Sequence, residues 1–483
     1  MRTVICCLVS LALLTATLGG CGERGAAEHL LDRMPSGYAA CITFVPSETG
    51  IKELLDMLAD SFGSYMDLRD AEATLGFSPL DWEAWSSKLS LREGEELGIL
   101  LGTPGGGDPD IVVLYLPSND RDKVDEIFQP ARTQGGLEVA CEQDREYVTV
   151  AMARRSIDIE TFTEAAGTPL GENLEYSELR SLIDGFASPA VEVWLDGGML
   201  YDTGGMDALL ASCSARNGTL MFSWAAGIDR SEFEEIAELA GNGPSGDATF
   251  PNDAMGAFRL TLDPNVLGGM LEGQVPSDAL MALGVLGFSS TDELLAMFSG
   301  DAWFAITAED GNYSGALSLG LKDLDAAEDF MIQLTALSGM AGAGDGVRTF
   351  SHNGSQALEI QGESIPGVDG IQIGIVGGSL VAAGGWTLQQ VEEGDEFSAM
   401  LEGSGLDMDD QDPFVMFLDI GRLAESLGLE REPGLAGLGS MGALALSSRL
   451  AEGSVVVGTG ALDTGSENPF LFIIGILIRL GSM

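Results

Sequence analysis

The chain has 483 residues, 45% of them apolar, and a formal net charge of −52 at neutral pH. This length favours two or three domains over one, and the apolar content suffices for a sizeable core. The negative charge repels nucleic acid and anionic lipid headgroups, which excludes DNA and RNA as partners. Because the acidic residues are spread along the chain, we interpret the charge as a solvated surface; attraction of cations or of a basic partner is the alternative.

The first twenty residues have the pattern of a secretory signal peptide. Arg2 precedes an apolar run from Val4 to Leu14, which is too short to span a bilayer comfortably. The run leads to Leu18-Gly19-Gly20-Cys21, which resembles the lipobox of bacterial lipoproteins. The resemblance implies that residues 1–20 are removed and that Cys21 carries a diacylglyceryl group, often with a further acyl chain such as palmitate. Two or three acyl chains anchor a protein firmly in a lipid bilayer.

The residues after the lipobox bear on where the protein is anchored. We expect residues 21–33 to form the lipidated N-terminus, a short tether and a lead-in helix. In lipoproteins of familiar Gram-negative bacteria, Asp directly after the lipidated cysteine retains the protein in the inner membrane. Gly22 stands at that position here. The resemblance therefore implies a cell-envelope location, with the outer membrane favoured over the inner membrane in a Gram-negative cell.

Two segments, residues 34–241 and 248–483, present similar landmarks in the same order, which indicates an internal duplication. The first opens with Met34-Pro35 and a strand, and the second with Phe250-Pro251 and a strand. Each continues with a helical pattern, a Leu-Gly-Phe-Ser motif, two strands and a helix. In the second segment, Asp325 is the predicted N-cap of the helix that follows the two strands. The predicted strands are Leu97–Leu101 and Ile111–Leu116, then Ala302–Thr307 and Gly315–Leu321, and the predicted helices are Asp122–Phe128 and Asp325–Leu334.

The second halves of the two segments also correspond. Matching strands lead to Asp196 and Asp419, and the last strand of each segment closes with Asp229 or Asp463. A helix is predicted after Asp229, whereas the apolar run Phe470–Leu480 follows Asp463 and is expected to lie buried between the halves. Identity between the segments is low, so chance similarity is the alternative.

Strands slightly outnumber helices, and many strands follow one another directly. The sequence therefore predicts an α+β fold of two duplicated units, each a largely antiparallel sheet with helices packed on one face. A stretch rich in Gly, Pro and Ser, residues 241–247, marks the boundary between the units. The opening proline and strand, the duplication and the lipobox together resemble an uncharacterised family of bacterial exported proteins, domain of unknown function 3352. That resemblance spans most of the mature chain and implies no catalytic residues.

Three cysteines remain after the signal peptide and the lipobox: Cys41, Cys141 and Cys213. They lie far apart in apolar stretches, so we expect buried free thiols, with one disulfide as the alternative. The tryptophans also fall mostly in apolar patterns, where core packing is the expected role. They are Trp82, Trp85, Trp194, Trp224, Trp303 and Trp386.

Catalytic and cofactor signatures are scarce in the sequence. Its two histidines are His29, near the tether, and His352, in a predicted surface turn. There is no Gly-x-Ser-x-Gly elbow for a nucleophile, no zinc-ligand spacing and no phosphate-binding loop. We therefore predict no catalytic residues and no cofactor, although pairs of carboxylates leave a glycoside hydrolase as a third hypothesis.

One acidic cluster is a weak candidate for a metal site. Asp407, Asp409, Asp410 and Asp412 place oxygen ligands at near-alternate positions, as Ca²⁺ prefers. The glycine and the bidentate glutamate of a calcium loop are absent at the required spacing, so a solvated acidic loop is the expected state. The leading hypothesis is a non-enzymatic envelope lipoprotein that binds an envelope protein or serves a structural role; a carrier of a hydrophobic ligand is the second.

Overall fold

The computed structural model describes residues 30–45, 82–92, 94–102, 111–133, 137–144, 146–154, 167–183, 191–199, 206–216, 218–241, 248–266, 283–309, 312–340, 346–361, 370–402, 412–429 and 438–464. The chain divides into two compact units. Unit 1 comprises Met1–Asp229, Ala451–Val457 and Thr464–Met483, and unit 2 comprises Arg230–Leu450 and Gly458–Asp463. Across the described part of the chain, none of the helices combines the length and the apolar character needed to cross a membrane.

Unit 1 contains four helices and eight strands among its described residues before Asp229. The helices are α1 (Leu30–Arg33), α2 (Trp82–Leu89), α3 (Arg121–Thr133) and α4 (Leu174–Leu182). The strands are β1 (Ala40–Phe44), β2 (Leu97–Leu101), β3 (Ile111–Leu116), β4 (Leu137–Gln143), β5 (Val148–Arg154), β6 (Val191–Asp196), β7 (Met206–Arg216) and β8 (Thr219–Ile228).

The strands of unit 1 form antiparallel ladders in the order β4-β5-β3-β2-β1-β6-β7-β8. β1 is central, with β2 on one side and β6 on the other. All five residues of β1 are buried, so both faces of this strand are covered. The sequence predicted helices on one face of the sheet only, and so did not predict that β1 is buried on both faces. The nearly continuous apolar sequence Ala40-Cys41-Ile42-Thr43-Phe44 is typical of a strand buried on both sides.

Helices α1 and α4 cover one of these faces. Tyr176 of α4 packs edge-on against Trp194 of β6, with ring centroids 5.5 Å apart. Leu30 and Met34 belong to the same buried cluster. The hydroxyl of Tyr176 donates a hydrogen bond of 2.6 Å to Asp32, which joins the two helices. Burial of these large apolar side chains provides most of the stabilisation of this face.

Unit 2 contains the remaining elements. Its helices are α5 (Arg230–Leu239), α6 (Thr291–Leu295), α7 (Leu324–Met340), α8 (Leu388–Glu392), α9 (Phe397–Glu402) and α10 (Ile420–Ser426). Its strands are β9 (Thr249–Phe250), β10 (Gly256–Thr261), β11 (Phe298–Glu309), β12 (Asn312–Leu321), β13 (Val347–His352), β14 (Ser355–Ile360), β15 (Ile371–Val376), β16 (Ser379–Gly384), β17 (Asp395–Glu396), β18 (Phe414–Asp419) and β19 (Ala443–Ala451), with the second half of β20 (Val455–Asp463).

The long ladder of unit 2 runs in the order β13-β14-β15-β16-β12-β11-β10-β18-β19, and β9 pairs with β17. All of these pairings are antiparallel. The main core lies on one face, where Trp303 contacts Phe397 edge-on at 5.1 Å between ring centroids. A second cluster packs α7 against the sheet through Ala327, Met331 and Ile375.

The mixed α/β fold with largely antiparallel strands is confirmed. β2 and β3 have the predicted bounds, whereas β11 and α7 extend beyond theirs. The predicted N-cap of α7 is wrong: Asp323, rather than Asp325, accepts a hydrogen bond of 3.0 Å from the backbone N–H of Ala326. The helix begins at Leu324, so Asp325 lies inside its first turn.

Candidate functional site

A concave site of about 300 Å³ lies in unit 1, where α1 meets the strands β3, β4 and β5. Its floor is a row of side chains on adjacent strands. Tyr115 lies opposite Thr149, and Thr149 lies opposite Glu142. Residues directly opposite each other in an antiparallel pair project to the same face, so these three side chains share one surface. The remaining lining residues are Leu30, Arg33, Gln143, Asp144 and Tyr147.

Gly98 allows α1 to lie close to this floor. It pairs with Tyr115 across β2 and β3. A Cβ at this position would lie 2.5 Å from Cε of Met34 and 2.9 Å from Cδ2 of Leu30. The missing side chain therefore creates the space in which the helix packs against the sheet. A hydrogen bond of 2.5 Å from the backbone N–H of Leu30 to Glu96 fixes the start of the helix.

Tyr147 lines the site, and two arginines lie close to its ring. The guanidinium of Arg33 is 5.5 Å from the centre of its ring, and that of Arg92 is 5.9 Å away. Both distances lie within the range of a cation–π interaction. Burial, followed by the charges of Glu96 and Glu95, raises the pKa of Tyr147 to about 12, so its phenol is neutral at physiological pH.

The arginines are held by carboxylates. Arg33 forms an ion pair with Asp144 at 3.6 Å and a closer one with Glu146. Burial lowers the pKa of Arg33, but the hydrogen bond and charge of Glu146 and the charge of Asp144 outweigh it and raise the pKa. Arg92 pairs with Glu95 at 2.5 Å. Both guanidinium charges are therefore already compensated by neighbouring side chains.

The turn between β4 and β5 positions these carboxylates. Oδ1 of Asp144 accepts hydrogen bonds of 2.7 Å from the backbone N–H groups of Glu146 and Tyr147. Such bonds from a short acidic side chain to the backbone ahead of it stabilise a turn. Burial also raises the pKa of Tyr115, which keeps this phenol protonated at the floor. The site thus presents hydroxyl and carboxylate groups side by side, an arrangement suited to binding a polar ligand.

Sequence reasoning did not find this site, because its members come from four separate elements. One signal was present in the sequence. The chain has only 23 Lys and Arg residues, so positively charged residues such as Arg33 and Arg92 are rare enough to be singled out as candidates. Their separation in sequence from Tyr147 conceals the cluster.

The predicted acidic loop is only partly described. Asp407, Asp409 and Asp410 lie outside the described residues. Asp412 is buried, with 5% of its surface exposed, and its Oδ1 is 3.9 Å from Nε of Arg449. The interpretation of Asp412 as part of a solvated loop is therefore wrong. It lies just before β18, which pairs with β19 and so brings Arg449 to it. Among the described residues no three His, Cys, Asp or Glu side chains are placed to hold a metal ion.

The predicted turn near His352 is present, but His352 is not exposed in it. Asn353 and Gly354 form a turn between β13 and β14, with φ of 51° and 91°. His352 itself is buried, and its Nε2 lies 3.2 Å from Oε2 of Glu392 in α8. His352 is the last residue of β13 and pairs with Ser355 of β14, so it belongs to the strand and not to the turn itself. His29 and the lipobox residue Cys21 lie outside the described residues.

The cysteines and tryptophans agree with a packing role where their side chains are described. Cys41, Cys141 and Cys213 are not joined to one another in disulfides, and the first two are buried. Burial raises the pKa of Cys213 to about 12 and raises that of Cys41 as well, so both thiols are protonated and poorly nucleophilic. Trp194, Trp303 and Trp386 are buried, and Trp224 is half-buried. The side chains of Trp82 and Trp85 and the run Phe470–Leu480 lie outside the described residues.

A second surface of interest lies on the less covered face of the unit 2 sheet. Phe258 lies opposite Phe304 and Met416, and Phe304 lies opposite Leu317. The rings of Phe258 and Phe304 are 5.1 Å apart. Phe258 and Leu317 are each 40% exposed, although large apolar side chains in the middle of a sheet are normally covered. We call these four residues the apolar row.

Comparisons with known proteins add little to this geometry. No protein-family model matches the chain, and no curated protein matches it. Among solved structures, crystal form I of TP0453 is 10% identical with a TM-score of 0.24, covering 44% of this chain and 86% of that chain. Crystal form III of TP0453 is 9% identical with a TM-score of 0.25, covering 46% of this chain and 91% of that chain. At these scores the likeness carries no argument about fold or function.

Proposed function

We propose that the protein is a lipid-anchored lipoprotein of the bacterial cell envelope with a non-enzymatic binding or structural role. The observation that carries the proposal is the sequence Leu18-Gly19-Gly20-Cys21 after a short apolar run. Acyl chains on Cys21 would hold the folded units at a bilayer surface, each buried CH₂ adding about 0.8 kcal/mol to the anchoring. With Gly22 next to the anchor, the outer membrane is the favoured location in a Gram-negative cell.

Metabolic labelling with a palmitate analogue tests the anchor. The wild-type chain is expected to take up label and to fractionate with membranes. Cys21→Ala should lose both properties, whereas the matched control Cys41→Ala, which removes a buried thiol elsewhere, should retain the label. Label that persists in Cys21→Ala at the wild-type level would contradict the proposal.

We further propose that units 1 and 2 arose by duplication, as in the family domain of unknown function 3352, which the sequence resembles. Their connectivity supports this. In each unit the first long strand pairs with the next strand on one side and, on the other, with the strand that ends in an aspartate, Asp196 or Asp419. A helix, α3 or α7, follows the third strand of each set.

Similar hydrogen bonds of these two aspartates also support a duplication. The backbone N–H of Asp196 donates to the carbonyl of Ala39, and that of Asp419 donates to the carbonyl of Met255. Each of these aspartates then accepts backbone hydrogen bonds at the start of a helical turn. The hairpin β13–β14 follows α7 only in unit 2, where β15 and β16 occupy the places of β4 and β5 in the ladder.

Hydrogen-bonded hydroxyl pairs, one buried and the other partly buried, provide a further correspondence. Ser212 and Ser223 are 2.9 Å apart on β7 and β8, and Ser447 and Thr459 are 3.1 Å apart on β19 and β20. Both pairs bridge the last two strands of the set. Paired buried hydroxyls satisfy each other, so they can persist in two diverged copies. Replacing each pair by alanines should cost the two units a similar free energy of unfolding, measured by urea denaturation; a cost confined to one unit would weaken the duplication.

A carrier of a hydrophobic ligand is the second candidate, and the apolar row favours it. Its four large apolar side chains lie side by side on four neighbouring strands, β12, β11, β10 and β18. Two of these side chains are 40% exposed. An acyl chain or another elongated apolar molecule would cover them. Native and denaturing mass spectra of the purified chain test this: a bound mass that leaves on denaturation supports a carrier, and an unliganded mass after extraction in mild buffer contradicts it.

A further inference from the structure

We propose that the face of the unit 2 sheet that carries the apolar row binds the acyl chains of a lipid molecule. The proposal rests on the carrier function, the second candidate above, and names the class of its ligand. The apolar row crosses β12, β11, β10 and β18, and it continues onto β19, where Leu446 lies opposite Met416. Residues directly opposite each other in antiparallel strands project to the same face, so the row is one continuous surface.

Two further rows flank the apolar row on the same five strands. One runs from Gly315 on β12 to Leu444 on β19, and the other from Leu319 on β12 to Ser448 on β19. Every position of the three rows belongs to the described part of the chain, and none of these positions has a charged side chain. Ser448 has the only polar side chain among them. We call the three rows the apolar face.

The apolar face has the reverse of the composition expected for a sheet surface in contact with water. Antiparallel sheets with one solvated face normally carry polar residues on it, and this chain has a net charge of −52. The charged residue Arg259 lies on the opposite face, buried beside Trp303 in the core. On the apolar face, by contrast, Phe258 and Leu317 are each 40% exposed. Such a surface indicates a binding site for an apolar partner.

Helix α7 borders this surface along β16. Met331 of α7 and Ile375 of β15 belong to one buried cluster, and Leu380 of β16 packs against it. Leu380 lies opposite Leu319, so the helix and the apolar face are on the same side of the sheet. One strand further, Leu317 on β12 is 40% exposed. The apolar face therefore has a raised border on one side and an exposed surface next to it.

The chemistry of the apolar face favours hydrocarbon over a protein partner. A protein interface makes about one hydrogen bond per 100–200 Å². On the apolar face Ser448 supplies the only side-chain hydroxyl, and none of its side chains has an N–H group. A second copy of the chain is disfavoured further, because two molecules with a net charge of −52 repel each other. Acyl chains carry no charge and need no hydrogen bonds, so they match this surface.

The dimensions of the apolar face also fit acyl chains. Five strands at a spacing of about 4.8 Å give a width of about 19 Å, and three rows two residues apart extend about 14 Å along the strands. The acyl chains of one leaflet fill half of a hydrocarbon core of about 30 Å, so each is about 15 Å long. Two chains can therefore lie side by side along the strands. We expect a zwitterionic headgroup, because the acidic protein repels an anionic one.

Native mass spectrometry of the full chain, released from detergent micelles that contain dioleoyl phosphatidylcholine, tests the proposal. We expect the wild-type chain to retain this lipid and to lose it on denaturation, unlike its covalent acyl chains. Leu317→Glu places a charge on the apolar face and should lower the affinity at least about tenfold, because the lipid would bury an unpaired carboxylate. The control Leu324→Glu makes the same change on α7, at a residue that is 48% exposed, and should keep the affinity within about twofold.

Photo-crosslinking of the wild-type chain to phosphatidylcholine with a diazirine in its acyl chain requires no variant. The labelled peptides should contain residues of β10, β11 or β12. Labels confined to other segments, or equal lipid retention by Leu317→Glu and Leu324→Glu, would overturn the proposal and leave a carrier that binds elsewhere. A dimer mass that Leu317→Glu abolishes would overturn it in favour of a second copy. Absence of retained lipid would refute both this site and the carrier function, whereas the palmitate label on Cys21 tests the anchor separately.

Discussion

The buried ion pair of unit 2 gives a quantitative prediction for stability. Arg259 on β10 and Asp301 on β11 are 1% and 5% exposed, and Nη2 of Arg259 is 3.8 Å from Oδ1 of Asp301. Thr261 donates a hydrogen bond of 3.0 Å to the same oxygen. The guanidinium also lies 5.3 Å from the centre of the Trp303 ring. Asp301→Asn removes the negative charge while keeping the size of the side chain, and so leaves a buried cation without this carboxylate.

The expected cost follows from the geometry. At 3.8 Å and an effective dielectric constant of about 20, the two charges attract each other by about 4 kcal/mol. Breaking a buried pair from one side typically costs roughly 3–5 kcal/mol, since the remaining charge is left desolvated. We therefore expect Asp301→Asn to lower the free energy of unfolding of unit 2 by about 3–4 kcal/mol. Thr261→Val, which removes only a neutral donor, should cost about 1 kcal/mol.

Urea denaturation followed by tryptophan fluorescence is the assay, because Trp303 reports on this core directly. The double variant Arg259→Met with Asp301→Asn removes both charges and should recover at least half of the loss, since a hydrophobic replacement of a buried pair is often neutral or stabilising. A cost below about 1 kcal/mol for Asp301→Asn, or a double variant less stable than the single one, would refute the reasoning.

Three other predictions concern unit 1. Gly98→Val should destabilise it by about 1–3 kcal/mol and close the concave site, since the added Cβ would lie 2.5 Å from Met34, whereas Gly284→Ala, where a Cβ meets nothing within 4 Å, should have little effect in the same denaturation series. Tyr176→Phe loses the hydrogen bond of 2.6 Å to Asp32 and should cost about 1–2 kcal/mol, measured in the same way; a neutral result would show that this contact does not hold α1 to α4. Alkaline pH should destabilise the fold: the pKa of Cys213 is raised by burial from 9.0 to about 12, so the unfolded chain loses the proton first and stability falls as pH rises between these values. Cys213→Ala should flatten that slope, and an unchanged slope would contradict the assignment.

The elements that sequence reasoning located best are those whose signal is local. β2 and β3 are short apolar runs between turn residues, and their bounds coincide with the prediction. The predicted start of α7 was wrong because Asp323 and Asp325 are both residue types that can cap a helix. Only the hydrogen bond from the backbone N–H of Ala326 to Asp323 identifies the true N-cap. β11 extends past its predicted bounds because it pairs with β12 along almost its whole length, including polar residues at its end.

Features that depend on distant partners were not accessible from sequence. The sequence predicted that Asp412 is exposed to solvent. In the structure, the pairing of β18 with β19 brings Arg449 near it. His352 looked like a turn residue, yet the turn consists of its two successors and the imidazole packs beside Glu392. The concave site joins a helix to three strands through residues more than a hundred positions apart, such as Arg33 and Glu146. The periodicity of apolar residues predicts helices and strands, but it does not predict contacts between residues that are distant in sequence.

The lipid anchor is the central claim, and mass spectrometry of the mature N-terminal peptide tests it most directly. Chain purified from membranes of an expressing bacterium should begin at Cys21, with a mass increase equal to a diacylglyceryl group and, after full processing, one further acyl chain. A mature chain that begins elsewhere, or an unmodified Cys21, would contradict the account.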